Sequence, residues 1–231
     1  MAVEELTIPV EHAHVDEVRG ALHAPVGDER EQAILLAHGA GADMDADFMV
    51  AAAEGLAAHG FHVLRFRYPY MERADREGRR LPPDRAPVLE AAHTRALDVL
   101  RTRLPGRRVL LAGKSMGGRM GTHIAAKGAD CAGLVLFGYP LHPPKRPEKQ
   151  RSEHFPALVQ PALFLQGTRD TLCDLDLLRT ALETYGGTAR LEVIEGADHG
   201  FAVLKRSGLD PEAVRQGLWD RVASWAETTF P

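Results

Sequence analysis

The chain has 231 residues, 45% hydrophobic and 26% charged, with a formal net charge of −4. That is enough apolar material for a core needing neither disulfides nor metal. The slightly acidic balance offers no overall basic field for nucleic acid, and no stretch approaches the roughly 18 apolar residues of a membrane span.

Residues 1–6 carry neither a basic region nor a long apolar run, so no signal peptide is expected and the cytoplasm is the default compartment. Along the chain, short apolar runs alternate with helix-period stretches, the pattern of an α/β fold whose mostly parallel sheet is covered by helices on both faces. Residues 15–22 read as an early strand and 32–37 (QAILLA) as a buried one. Residues 45–59 follow as a helix with Phe48, Ala52, Leu56 and His59 on one face. The next strand is 61–66. Residues 68–85 are Arg-rich, full of turn formers and too polar for core, and read as a loop.

Leu89, Ala92, Ala96, Val99 and Leu100 mark the buried stripe of a long helix that Pro105-Gly106 stops near Leu104. Residues 108–112 (RVLLA) form a central strand, and 116–127 a helix rich in small side chains. Three more strands are expected at 133–137, 162–166 and 190–194, with a helix at 175–185 between the last two. The final helix, 211–228, places Val214, Leu218, Val222 and Trp225 toward the core. The Pro- and charge-rich segment 140–161 has strands of the same type on either side. It reads as a crossover, or a very short lid, inside a single domain spanning 1–231. Cys131 and Cys173 make no CxxC pair and are expected to stay reduced.

Chemistry concentrates at Gly113-Lys114-Ser115-Met116-Gly117, directly between a strand and a helix. A nucleophilic serine must stand proud of the sheet on a tight turn, and a Cβ two residues to either side would clash with the neighbouring backbone. The helix N-terminus behind Ser115 adds positive potential where an oxyanion develops. The plainer alternative is a glycine-rich helix start. Order along the chain supports the nucleophile: an acid and then a histidine should follow, each just beyond a strand. Asp170 closes Gln166-Gly167-Thr168-Arg169-Asp170, and His199 lies in Ala197-Asp198-His199-Gly200-Phe201. All three emerge at the carboxyl edge of the sheet.

Asp174 and Asp176 are rivals for the acid, and Asp170 is also a possible helix cap. Asp198 reads as a turn residue. The other histidines read as surface or packing residues and make no metal pair, so neither metal nor cofactor is expected. A third signal is His38-Gly39-Ala40-Gly41-Ala42, straight after the strand at 32–37. Small residues there let backbone amides approach a carbonyl oxygen. One oxyanion donor is expected from Met116 and the second from Ala40, with Gly41 as the near alternative; His38 is expected to brace the loop.

These residues resemble the α/β-hydrolase superfamily over essentially the whole length. Within it, GKSMGGRM, with HGAGADM before it and QGTRD and GADHGF after it, is similar to one branch. That branch is the dienelactone-hydrolase-like group of small bacterial proteins related to the hydrolase-like subunit of a eukaryotic histone-acetylating complex. Residues 68–73 and 138–143 fit the same branch. The resemblance implies a Ser115–Asp170–His199 triad in a nearly lidless serine hydrolase. True dienelactone hydrolases carry cysteine where Ser115 stands.

The expected substrate is a small ester. Arg73, Arg76, Arg79, Arg80 and Arg85, with Lys145, Arg146, Lys149 and Arg151, would favour an anionic one if their loops face the site. The competing reading is a solvated rim whose charge is offset by Glu72, Asp75, Glu77, Glu148 and Glu153. Tyr70, Met71, Arg73 and Tyr139 are the candidate substrate contacts. The different-class alternative is a catalytically idle interaction module on the same fold, against which an intact triad argues.

Overall fold

The computed structural model describes residues 2–231. Eight strands form one sheet: β1 (Val3–Pro9), β2 (Glu17–His23), β3 (Gln32–Ala37), β4 (His62–Phe66), β5 (Arg108–Lys114), β6 (Gly133–Phe137), β7 (Ala162–Gly167) and β8 (Ala189–Ile194). Their spatial order is β1-β2-β4-β3-β5-β6-β7-β8. β2 runs antiparallel to both β1 and β4, and every pairing from β4 to β8 is parallel. The helices are α1 (Asp47–Ala58), α2 (Pro69–Glu77), α3 (Ala86–Arg103), α4 (Met116–Ala126), α5 (Leu175–Leu182) and α6 (Pro211–Thr229).

The central strands are apolar at nearly every position because both faces of the sheet are covered. Successive side chains therefore enter two different cores. Leu35, Leu111, Leu134, Leu136 and Phe164 pack with α3 and α4. Ile34, Leu36, Leu110, Val135 and Phe137 pack with α1 and α6, where Trp219, Val222 and Trp225 are buried.

Two stretches depart from expectation. β1 lies outside the expected strands; in it only Leu6 and Ile8 are buried, too short an alternation to stand out. More consequentially, residues 68–85 are not all loop. Pro69 begins α2 at a position where its missing N–H costs nothing, and Gly78 ends it at φ 63°. Tyr68 and Tyr70 are fully buried. The polar composition of the segment hid a helix whose first turn is core.

Segment 140–161 carries a single 3-10 turn, Phe155–Ala157. Leu141, Phe155 and Leu158 are buried in the α4-side core, so it lies down on the body as a crossover. Both cysteines are free. Among the described residues no helix is long and apolar enough to cross a membrane.

Candidate active site

β5 ends at Lys114 and α4 begins at Met116, leaving Ser115 alone to make the turn. Its backbone sits at φ 52°, ψ −116°, a conformation that costs a non-glycine residue about 1–3 kcal/mol and must be held by its surroundings. The flanking glycines hold it. A Cβ on Gly113 would lie 2.3 Å from the Gly118 nitrogen, and one on Gly117 2.3 Å from the Ala37 carbonyl oxygen. No other residue lets α4 pack this close to the ends of β5 and β3. Ser115 N–H donates to the Phe137 carbonyl at 3.0 Å, tying the turn to β6.

His199 reaches Ser115 from the loop after β8, with Nε2 and the serine Oγ 2.9 Å apart. Its Nδ1 is 2.7 Å from Asp170 Oδ2. Asp170, on the loop after β7, is fully buried at its side chain. Gln166 Nε2 donates to the same carboxylate at 2.6 Å and Leu172 N–H at 2.8 Å. With Oδ2 accepting, the imidazole carries its proton on Nδ1 and presents a lone pair to Ser115. Asp174 is instead the N-cap of α5, accepting from the amides of Asp176 and Leu177. Asp198 accepts from the amides of Gly200 and Ala202, closing its own turn.

On the other side of Ser115, the loop after β3 presents Ala40 and Gly41. Among the described residues, the N–H groups of Ala40, Gly41 and Met116 have no acceptor within the chain, as expected for Met116 at the start of a helix. His38 braces this loop. It is fully buried, its Nδ1–H donates to the Gly39 carbonyl at 2.9 Å, and its Nε2 accepts from Tyr68 N–H at 3.0 Å. Burial pushes its pKa down to about 4, so it stays neutral.

The four candidate substrate contacts separate. Met71 lines a groove of about 590 Å³ together with Ala40, Gly41, Arg79, Arg80 and Leu81. Tyr70 does not; it is buried beneath the loop, its hydroxyl 3.3 Å from the Gly39 and 3.2 Å from the Ala40 carbonyl oxygen. Tyr139 is also core, packed on Phe155 and Phe164, with its hydroxyl donating to the Arg151 carbonyl at 2.5 Å. Neither tyrosine therefore lines the groove, because each ring buries its face and satisfies its hydroxyl on backbone. Arg73 pairs with Asp84 at 3.5 Å and lies outside the groove lining.

Sequence reading missed what holds α2 and the loop together. Arg67, with only 4% of its side chain exposed, bridges Asp43 at 2.6 Å, Asp75 at 3.0 Å and Glu72 at 3.5 Å. Buried Arg65 adds Asp45 at 3.0 Å. No local motif marks these pairs. Among the described residues no cluster of histidine, cysteine and acidic side chains is arranged to hold a metal.

The family model for the alpha/beta hydrolase domain matches residues 30–227. The chain belongs to that family. Its fold is the α/β-hydrolase fold, as the sequence led one to expect, with the eight-stranded, mostly parallel sheet flanked by helices. Among solved structures, an alpha-beta serine hydrolase homologue from Coxiella burnetii is 17% identical, with 95% of this chain and 97% of that one covered and a TM-score of 0.75. A dienelactone hydrolase from Anabaena variabilis is 22% identical over 99% of both chains, with a TM-score of 0.73. A serine hydrolase without lid from Xanthomonas campestris is 20% identical, covering 96% and 94%, with a TM-score of 0.69. At these identities the likeness speaks for the fold.

Proposed function

We propose that this α/β-hydrolase is a cytoplasmic, single-domain serine hydrolase that cleaves a small carboxylic ester through an acyl-serine intermediate. The observation that carries the reading is the unbroken hydrogen-bonded line from Asp170 through His199 to a serine on a strained turn. An idle interaction module has no use for that strain. The finer kinship with the hydrolase-like subunit of a eukaryotic histone-acetylating complex stays part of the proposal, resting on the motifs around Ser115.

The steps follow from the geometry. Ser115 Oγ attacks the ester carbonyl while His199 Nε2 takes its proton, and Asp170 stabilises the imidazolium. The tetrahedral oxyanion lies between the amides of Met116 and Ala40, with Gly41 as the neighbouring donor. Collapse expels the alcohol, which takes the proton back from His199. Water then attacks the acyl carbon, giving its proton to the same nitrogen, and the carboxylic acid leaves as Ser115 is regenerated.

The groove beside Ala40 and Gly41 suits an ester with an anionic end. Asp43 and Asp75 line it too, but both are bridged to Arg67 and Asp75 also to Arg19, while Arg79 pairs with Glu77 at 2.6 Å. That leaves exposed Arg80 as the charge free to meet a ligand. The test is labelling by a fluorophosphonate probe in wild type and Ser115→Ala. Labelling of wild type alone supports the reading, and a well-folded wild type that stays unlabelled overturns it.

A further inference from the structure

Lys114 stands between Gly113 and Ser115, and no step above uses it. Its ammonium turns inward. Nζ donates to the main-chain carbonyl of His199 at 2.5 Å, and lies 5.6 Å from the centre of the Phe201 ring and 5.9 Å from that of Phe48. The two rings are 5.8 Å apart with planes 15° from parallel, so ammonium and rings form one cluster. Charge-assisted bonds to carbonyls are about twice as strong as neutral ones, and the face of an aromatic ring attracts a cation as well.

The backbone around the cluster is shaped to admit it. Phe201 is buried at φ 63°, a left-handed conformation that a phenylalanine avoids unless its surroundings impose it. Gly138 sits at φ 65°, and a Cβ there would be 3.1 Å from Lys114 Nζ and 3.4 Å from His199 Nδ1. A side chain at 138 would crowd the ammonium and strain the positive φ. The charged groups facing Nζ are Asp170 from the loop after β7 and Asp198 from the turn after β8, with His199 beside them; Phe48 comes from α1. Burial lowers the Lys114 pKa to about 8, against the pull of Asp170 and Asp198.

We infer that Lys114 is a positioning residue, whose ammonium binds the backbone of the general base to the residue before the nucleophile and so fixes the Ser115–His199 separation during turnover. This rests on the acyl-serine reading. The bond is strongest while the amine is charged. Raising the pH through about 8 removes the proton, weakens the bond and should lower the rate.

The experiment compares wild type, Ser115→Ala, Lys114→Met and Lys114→Arg in fluorophosphonate labelling and in p-nitrophenyl acetate hydrolysis across neutral and alkaline pH. In Lys114→Met, kcat should fall about 10- to 100-fold with KM within about twofold, because geometry is lost and binding is not. The wild-type decline near pH 8 should vanish in it. Lys114→Arg keeps a charge that does not titrate, and should restore most of the rate without that decline. If Lys114→Met does not fold, the wild-type decline and its loss in Lys114→Arg decide the matter. A Lys114→Met enzyme that matches wild type, or loses rate only with folded fraction while keeping the alkaline decline, overturns the role of Lys114 alone. Wild type that is not labelled overturns the acyl-serine reading and this role with it.

Discussion

The two sides of Ser115 are built by different physics. On the histidine side, backbone does the positioning. Gly113 and Gly117 set the elbow, Asp170 and His199 leave the ends of adjacent parallel strands, and short hydrogen bonds join them. On the side of the proposed oxyanion hole, the oxyanion side, buried charge does it. Arg67 and Arg65 hold the loop after β3 and the helix α2 through carboxylates from both segments. The first arrangement tolerates almost no change of residue. The second should yield by degrees, because several carboxylates share each guanidinium.

The sharpest way to break the contrast is at the histidine. His199→Ala should lower ester hydrolysis roughly 10³-fold or more while leaving the melting temperature near wild type, since residues of the proposed triad act as a unit and this one is part-exposed. Activity within tenfold of wild type would remove His199 from the reaction. Next comes the elbow itself. Gly117→Ala puts a methyl 2.3 Å from the Ala37 carbonyl oxygen, and a shift of that backbone costs about 3 kcal/mol. Chemical denaturation should register the loss, and labelling of the folded fraction should fall because Ser115 moves with the helix.

Arg67→Met tests the other side. It leaves Asp43, Glu72 and Asp75 without their shared cation, though Asp75 is 67% exposed and can turn to water. A loss of about 2 kcal/mol is therefore expected, below that of a fully buried pair. The histidine side should be untouched, so slow labelling by fluorophosphonate should persist while ester KM rises. A variant that loses labelling and stability together would show the two sides to be one unit.

That asymmetry also explains which parts were legible in the sequence. The elbow, Asp170 and His199 were readable because each is specified locally: glycines two residues from a serine, and polar residues just past an apolar run. The strand Gln32–Ala37 and the strand Gly133–Phe137 were readable to the residue, because burial on both faces demands uninterrupted apolar runs. α2 was not. Its charges pair with Arg67 and Arg19 on other elements, so what looks like a solvated loop is the polar face of a helix whose Tyr68 and Tyr70 are core. Gln166 escaped for a similar reason: a buried amide bridging Tyr139 N–H and Asp170 has meaning only once β6 and β7 lie side by side.

Acid should act through buried histidines. Burial lowers the pKa of His38 to about 4 and that of His93 to about 3, from 6.5. Folded protein therefore holds these imidazoles neutral where the unfolded chain would protonate them. Their stabilising contribution is complete above about pH 6.5 and is lost as pH falls toward 4. His23 and His154 are lowered to about 4 as well, so urea midpoints should drop across that window, and somewhat less in His93→Gln, which removes one of these imidazoles. Midpoints that stay level between those pH values would mean that these rings protonate in place.

The smallest effect expected is at Tyr70, and it isolates the oxyanion loop from its supports. The hydroxyl reaches the carbonyls of Gly39 and Ala40, at 3.3 and 3.2 Å, long enough that each bond is weak. With those oxygens held toward Tyr70, the Ala40 and Gly41 amides are left to face the groove. Tyr70→Phe keeps the ring in its buried place and removes only that grip. Stability should fall by about 1 kcal/mol. If the loop is held chiefly by His38 and the arginines, kcat should drop only a few-fold, with the pH profile unchanged. A loss approaching that of His199→Ala would instead make Tyr70 the keystone of the oxyanion side. The gradual response expected there would then give way to the same intolerance as at the elbow.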